Sequence, residues 1–209
     1  MSYRYDLQVH TDVSPCSQAA PGEIVEAATQ TGLDGIVITD HDTMANVDSV
    51  RALAPADLDV IPGVEVSTTD GHLLAIDVDE PPPRSDVLRA IDHVHDQGGF
   101  AIPSHPFDTL REHYGDRLVH IADRIDGIEV VNSRCVRQSF NDRAAEFADR
   151  HGLASTGGSD AHFPFEVGRA YTKTERPLLE ALERGETVGV GRGRYLSGHV
   201  LTKLHQYLP

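Results

Sequence analysis

The sequence predicts an α/β domain, either an α/β barrel or a doubly wound sheet, on three observations. Short apolar runs alternate along the chain with amphipathic stretches. Interior runs such as Ile36-Val37-Ile38 and Ile128-Glu129-Val130-Val131 are near-continuous, as in parallel strands covered on both faces. The chain of 209 residues is 39% hydrophobic, enough for one domain with a real core.

The elements follow in order. Strands are expected at Tyr5–Val9, Gly35–Thr39, Asp59–Val66, His72–Val78, Gly99–Pro103, Gly127–Val131 and Leu153–Thr156. Helices are expected at Pro21–Thr31, Thr43–Leu53, Ser85–Gln97, Ser139–His151 and Arg176–Arg184. Pro21-Gly22-Glu23 reads as a helix start with an acidic first turn, and Gly32 and Gly152 fall where C-caps belong. Pro81-Pro82-Pro83 marks an exposed loop. The predicted domain spans 1–184, with a C-terminal extension over 185–209 that opens on a Gly-rich stretch.

Composition narrows the function. Thirty-three acidic residues against 18 basic ones leave a formal net charge of −15. Such a surface repels nucleic acid and anionic membrane over most of its area. An anionic substrate therefore needs local compensation, from metal ions or a few aimed arginines. Two cysteines, Cys16 and Cys135, exclude a disulfide-dense scaffold. No apolar run approaches the roughly 20 residues of a membrane span, and the N-terminus lacks the apolar stretch of a signal peptide. A soluble cytoplasmic chain is the expectation.

Histidine is abundant, at 12, and its positions carry the argument. His10 follows the first strand, His41 the second and His105 the fifth. Glu65 lies near the end of the third, His72 opens the fourth run, and Glu129 and Asn132 close the sixth. Asp160 and His162 follow the seventh. Strand ends of a parallel barrel share one face, where active sites lie. Buried imidazoles and carboxylates gathered there are costly unless metal ions compensate them. The set is too large for one ion, so a cluster of two or three divalent ions (Zn, Mn or Fe) is expected. His93 and His95 sit inside a predicted helix, pointing to different sides, and are set apart from this group.

In order along the chain, His10-Thr11, Thr39-Asp40-His41-Asp42, Gly63-Val64-Glu65, Gly71-His72-Leu73-Leu74, Ser104-His105-Pro106, Glu129-Val130-Val131-Asn132 and Gly158-Ser159-Asp160-Ala161-His162 resemble the polymerase and histidinol phosphatase (PHP) family. The resemblance implies a distorted (β/α)7 TIM-like barrel with a trinuclear site. It places His10, Glu65 and Asp160 on a first metal, and His41 and His162 on a second. His72, His105 and a shared Glu65 oxygen fall on a third. The pattern departs at Gln8, where the family usually has histidine, and at Cys16, where it has His or Asp. Both are expected at the metals, Gln8 as a weaker neutral ligand and Cys16 as a thiolate that favours zinc.

The expected activity is hydrolysis of a phosphate ester by a metal-activated water. Asp160 and His41 are the central catalytic residues, with Arg134 at the mouth to grip phosphate. Asp40 either braces a ligating imidazole or caps a helix. The expected substrate is a small phosphorylated molecule. A nuclease or phosphodiesterase is the alternative, disfavoured by the net charge although Arg192 and Arg194 leave room for a short contact. A non-catalytic metal-binding barrel is a third reading, supported by Gln8.

Overall fold

The computed structural model describes residues 2–193. Arg194 and the tail that follows it, with His199, Lys203 and His205, lie outside the described residues. Among the described residues, nine strands and five α-helices follow in the order β1 (Tyr3–Val9), α1 (Pro21–Thr31), β2 (Gly35–Ile38), α2 (Val47–Leu53), β3 (Asp59–Ser67), β4 (His72–Ile76), α3 (Val87–Asp96), β5 (Phe100–Pro103), β6 (Gly127–Asn132), α4 (Gln138–His151), β7 (Ala154–Gly158), β8 (Ala170–Thr174), α5 (Leu178–Glu183) and β9 (Thr187–Gly191).

The strands form a curled seven-stranded sheet, β5-β4-β3-β2-β1-β8-β9, and a separate β6-β7 pair. The pair bridges the gap: β6 packs beside β5, and β7 packs against β1, β8 and β9. The result is a distorted, TIM-like α/β barrel. Apolar clusters fill the strand–helix interfaces. Ile24, Val25 and Ala28 of α1 pack on Ile36 and Ile38, while Ala90, Ile91 and Val94 of α3 pack with Val64, Leu73 and Ala101.

The barrel is less parallel than the sequence predicts. β1, β2 and β3 are parallel to one another, as are β6 and β7. β4 runs antiparallel to β3 and β5, and β8 antiparallel to β1 and β9. The cause at β4 is connection length. Residues 68–71 join β3 to β4, too few for a crossover, so the chain must turn back on itself. Thr68 closes that turn, with its backbone N–H and its hydroxyl both donating to the Gly71 carbonyl. Reversal puts the N-terminal end of β4 on the rim where β3 ends, and His72 pairs there with Ser67.

Helix boundaries follow local chemistry. Pro21 opens α1, and the Glu23 carboxylate accepts from the Ala20 N–H at 3.0 Å. Gly32 and Gly152 cap α1 and α4 in the left-handed conformation. Asp86 caps α3, so that helix begins at Val87 rather than Ser85. α2 begins at Val47 rather than Thr43. Asn46 spans to the first strand's loop through Thr11 (2.9 Å) and Asp12 (2.8 Å), and Asp42 is left-handed. Asn46, not Asp40, is the residue at the head of α2.

β8 and β9 add to the predicted strands. β9 falls in the stretch expected to open the C-terminal extension, and it pairs along its length with β8. Its Gly189 lies against β7 so closely that an added Cβ would sit 2.5 Å from the Thr156 carbonyl oxygen and 2.8 Å from Val130. Gly189→Ala is expected to destabilise the fold by about 1–3 kcal/mol through this overpacking, read as a lower urea midpoint with an unchanged slope.

Candidate metal centre

The predicted ligands converge. His10 leaves the end of β1, His41 lies beyond β2, Glu65 lies in β3, His72 opens β4, His105 follows β5, and Asp160 and His162 follow β7. Parallel strand ends and the reversed β4 bring them to one rim. The strand register is irregular beside it, in β1 between Asp6 and Val9 and in β6 between Glu129 and Val131. Among the described residues, four non-glycine residues have positive φ, and three of them, Asp42, His105 and Asp160, belong to this rim. Holding such backbones costs about 1–3 kcal/mol each, which the packed surroundings must sustain.

Glu65 is the centre. Its Oε2 lies 3.1 Å from His10 Nε2 and 3.6 Å from His41 Nδ1. Its Oε1 lies 3.0 Å from His72 Nδ1 and 3.2 Å from His105 Nε2. Asp160 extends the set, with Oδ1 3.3 Å from His10 Nε2 and 3.5 Å from His162 Nδ1. The rings form a continuous ribbon, His162–His10–His41–His72–His105, with neighbouring centroids 4.6, 4.9, 5.1 and 5.2 Å apart.

These groups fit metal ions better than each other. His10 Nε2 and His72 Nδ1 are buried and close to carboxylate oxygens, yet neither makes a hydrogen bond. Three sets place their ligand atoms within 4.8 Å of one another: His10, Cys16 and His41; His10, Asp160 and His162; and His41, Glu65 and His72. Mixed imidazole, carboxylate and thiol donors suit zinc, manganese or iron. Protonation favours binding at three of the five rings, whereas burial is outweighed at His10 by Asp160 and Glu65, which raise it, and at His72 by Glu65. Burial lowers the His41 imidazole, takes His162 well down, and takes His105 down to about 4 with help from Arg111. Neutral imidazole is the ligating form. Burial works against ionising Glu65, yet His41 and His72 hold it well below the usual carboxylate range.

A buried frame orients the ligands. Asp40 accepts from Thr11 N–H and Oγ1, both at 2.7 Å, and from Ser14 Oγ at 2.6 Å. Ser14 Oγ in turn accepts from the His41 N–H at 3.1 Å and lies 3.4 Å from His10 Nδ1. Asp40 thus braces the imidazoles through Ser14. Glu129 accepts from the His105 N–H at 2.7 Å, and burial pushes its carboxyl up to about 8.

The two departures from the family pattern differ in placement. Cys16 stands beside His10 and His41, lining the cavity above the rim. Gln8 is fully buried, and its Oε1 accepts from Ser104 Oγ at 3.0 Å and from Asn132 Nδ2 at 3.1 Å. Arg134 does not reach the mouth. It is buried, and its guanidinium donates to Glu166 Oε2 at 3.0 Å, a carboxylate that also accepts from the His162 N–H at 2.8 Å. The short loop after β7 draws Arg134 inward as the counter-charge to Glu166. The guanidinium on Asp160 belongs to Arg111, which sequence reasoning missed. It lies in the irregular loop after His105, where no periodicity marks it. Its one signal is its place in a rim loop.

Arg111 also lines a cavity of about 720 Å³ over the histidine ribbon, together with Cys16, His41, His72, Arg84 and Glu112. Arg84 rests on Asp42, and His72 Nε2 lies 3.1 Å from Glu112. His93 and His95 lie away from the rim on α3, facing Glu80 and Asp126.

Fold and site together define an α/β barrel built to hold divalent metal at one rim. The chain belongs to the PHP family: the PHP domain model matches residues 6–151, and the PHP-associated model matches residues 138–187. A Methanocaldococcus jannaschii protein, MJ0417, is 31% identical over 183 residues, 85% of this chain and 73% of that protein. A 5'-3' exoribonuclease of Haemophilus influenzae is 31% identical over 93 residues, 42% of this chain and 34% of the enzyme. Among solved structures, a two-domain protein from Bacteroides vulgatus containing a predicted PHP-like metal-dependent phosphoesterase superposes with a TM-score of 0.79 at 21% identity. That likeness covers 92% of this chain and 65% of the two-domain protein, and it shows the shared fold.

Arg134→Met is expected to destabilise the protein by about 3–5 kcal/mol, because it leaves Glu166 buried without its counter-charge. Denaturant unfolding checks this. An effect on turnover with no loss of stability would instead put Arg134 at the substrate.

Proposed function

We propose that this chain hydrolyses a phosphate ester, using two or three divalent ions held by the rim histidines, Glu65 and Asp160. The observation that carries this reading is the buried Glu65 carboxylate, with imidazole nitrogens of His10, His41, His72 and His105 within 3.6 Å of its two oxygens. When bound, such ions acidify water to near neutrality and neutralise charge on phosphoryl oxygens.

The side chains do the rest. His10, His41, His72, His105 and His162 present ring nitrogens, and Asp40 holds two of these residues through Ser14. Glu65 has an oxygen for each of two ions. Arg84 and Arg111 line the cavity and bring positive charge toward anionic oxygens entering it, each held in place by a carboxylate partner, Asp42 or Asp160. Cys16 acts as a ligand, since its sulfur lies within ligand reach of the His10 and His41 rings and metal binding displaces the thiol proton. The substrate is a small phosphorylated molecule, consistent with two cavity arginines on a chain of net charge −15.

A second reading, cleavage of phosphodiesters including short oligonucleotides, draws on the likeness to the Haemophilus exoribonuclease. The overall negative charge argues against a long polyanion. Turnover of p-nitrophenyl phosphate against bis-p-nitrophenyl phosphate, on protein reconstituted with zinc or manganese, separates the two. Metal binding without turnover of either, or of a panel of phosphorylated metabolites, would favour a non-catalytic barrel.

Asp160→Ala and His41→Ala are each expected to lower turnover at least a hundredfold, about 2.7 kcal/mol of barrier, and to reduce bound metal. Circular dichroism should show the barrel intact. Wild-type rates in either variant would contradict the assignment.

A further inference from the structure

We propose that Arg111 takes the place of one metal ion: the centre holds two divalent cations, and a fixed guanidinium supplies the third positive group on the Asp160 side. This rests on the metal-dependent reading above and deepens it.

Three observations carry the inference. Gln8 occupies the position where the family pattern has an imidazole, and its amide oxygen is already committed to Ser104 and Asn132. Asp160 divides its two oxygens. Oδ1 faces His10 and His162, while Oδ2 accepts from Arg111 and, at 3.2 Å, from Asn132 Nδ2. Arg111 is itself locked in place. Its Nε donates to Asp108 Oδ2 at 3.0 Å and its Nη2 to Asn132 Oδ1 at 3.3 Å. Asp108 is buried and tied to the ligand loop through its N–H, which donates to the His105 carbonyl at 3.0 Å.

Gln8, Asn132, Arg111 and Asp160 are therefore one connected network. Asn132 donates to Gln8 and Asp160, and accepts from Arg111. An ion on the Gln8 side of Asp160 would share Oδ2 with a fixed positive group. In a buried setting the repulsion between them is weakly screened, so the two occupants exclude each other there. The ligands left over still suffice for two ions. His10, His162 and Oδ1 of Asp160 form one group, and His41, Glu65 and His72 form another. The substitution trades an exchangeable ion for a permanent charge whose planar donors are fixed by Asp108, Asn132 and Asp160.

The test is a metal count. Protein loaded with excess zinc and passed through a desalting column is assayed for metal per chain by plasma mass spectrometry, with circular dichroism to verify folding. The expected ratio is two for wild type and for Gln8→His, and three for Gln8→His combined with Arg111→Met. Three ions in wild type, or in Gln8→His alone, would overturn the inference and leave the phosphoesterase reading standing. A folded double variant that stays at two would overturn it as well. A wild-type ratio of one would also sink it, and a ratio of zero would remove both the inference and the reading it rests on. The wild-type count decides the matter even where the double variant does not fold.

Discussion

Burying one ionised carboxylate among side chains that cannot neutralise it alone is the constraint that organises this molecule. Glu65 is 1% exposed, near the end of β3, with two imidazole nitrogens close to each carboxylate oxygen. Desolvating such a charge is expensive unless positive groups surround it. Here the compensation arrives from β2 and β4, which flank β3 in the sheet, and from β1 and β5, the next strands out on either side. The barrel and its site are therefore one problem with one solution, and the left-handed backbones at Asp42, His105 and Asp160 show how tightly the rim is drawn around it.

The surrounding frame is as specific as the ligands. Asp40 does not touch a ring, yet through Ser14 it sets the positions of His10 and His41. Asn132 works in the same way at the other end, joining Gln8, Glu129, Asp160 and Arg111. Two amide or hydroxyl side chains thus connect most of the charged groups. Changes at such positions alter the electrostatics of the centre without removing a ligand.

Much of this was legible in the sequence, for identifiable reasons. Strands such as Ile36-Val37-Ile38 declare themselves because both faces are buried, and the candidate ligands declare themselves because each sits at or near a strand end. β9 did not, since Thr187-Val188-Gly189-Val190-Gly191 has the composition of a loop, and its glycines serve close approach, Gly189 to β7 and Gly191 to Ala170 of β8, rather than a turn. The antiparallel course of β4 was hidden because apolar runs carry no sign of direction, although four residues between β3 and β4 leave room only for a turn. The exchange of Arg134 for Arg111 was the hardest to see. Which of two arginines meets a carboxylate depends on loop paths with no periodic pattern, and on Glu166 claiming the first of them.

The β3–β4 turn reaches beyond topology. Glu65 and His72 stand on neighbouring strands of a single hairpin, and backbone pairing fixes the offset between them. Slipping that pairing by one residue would send the imidazole to the opposite face of the sheet. A cation gripped by both would act as a clasp across the ladder, and the energy of coordination would then also secure strand alignment. Chemistry and architecture would share a fastening at this hairpin.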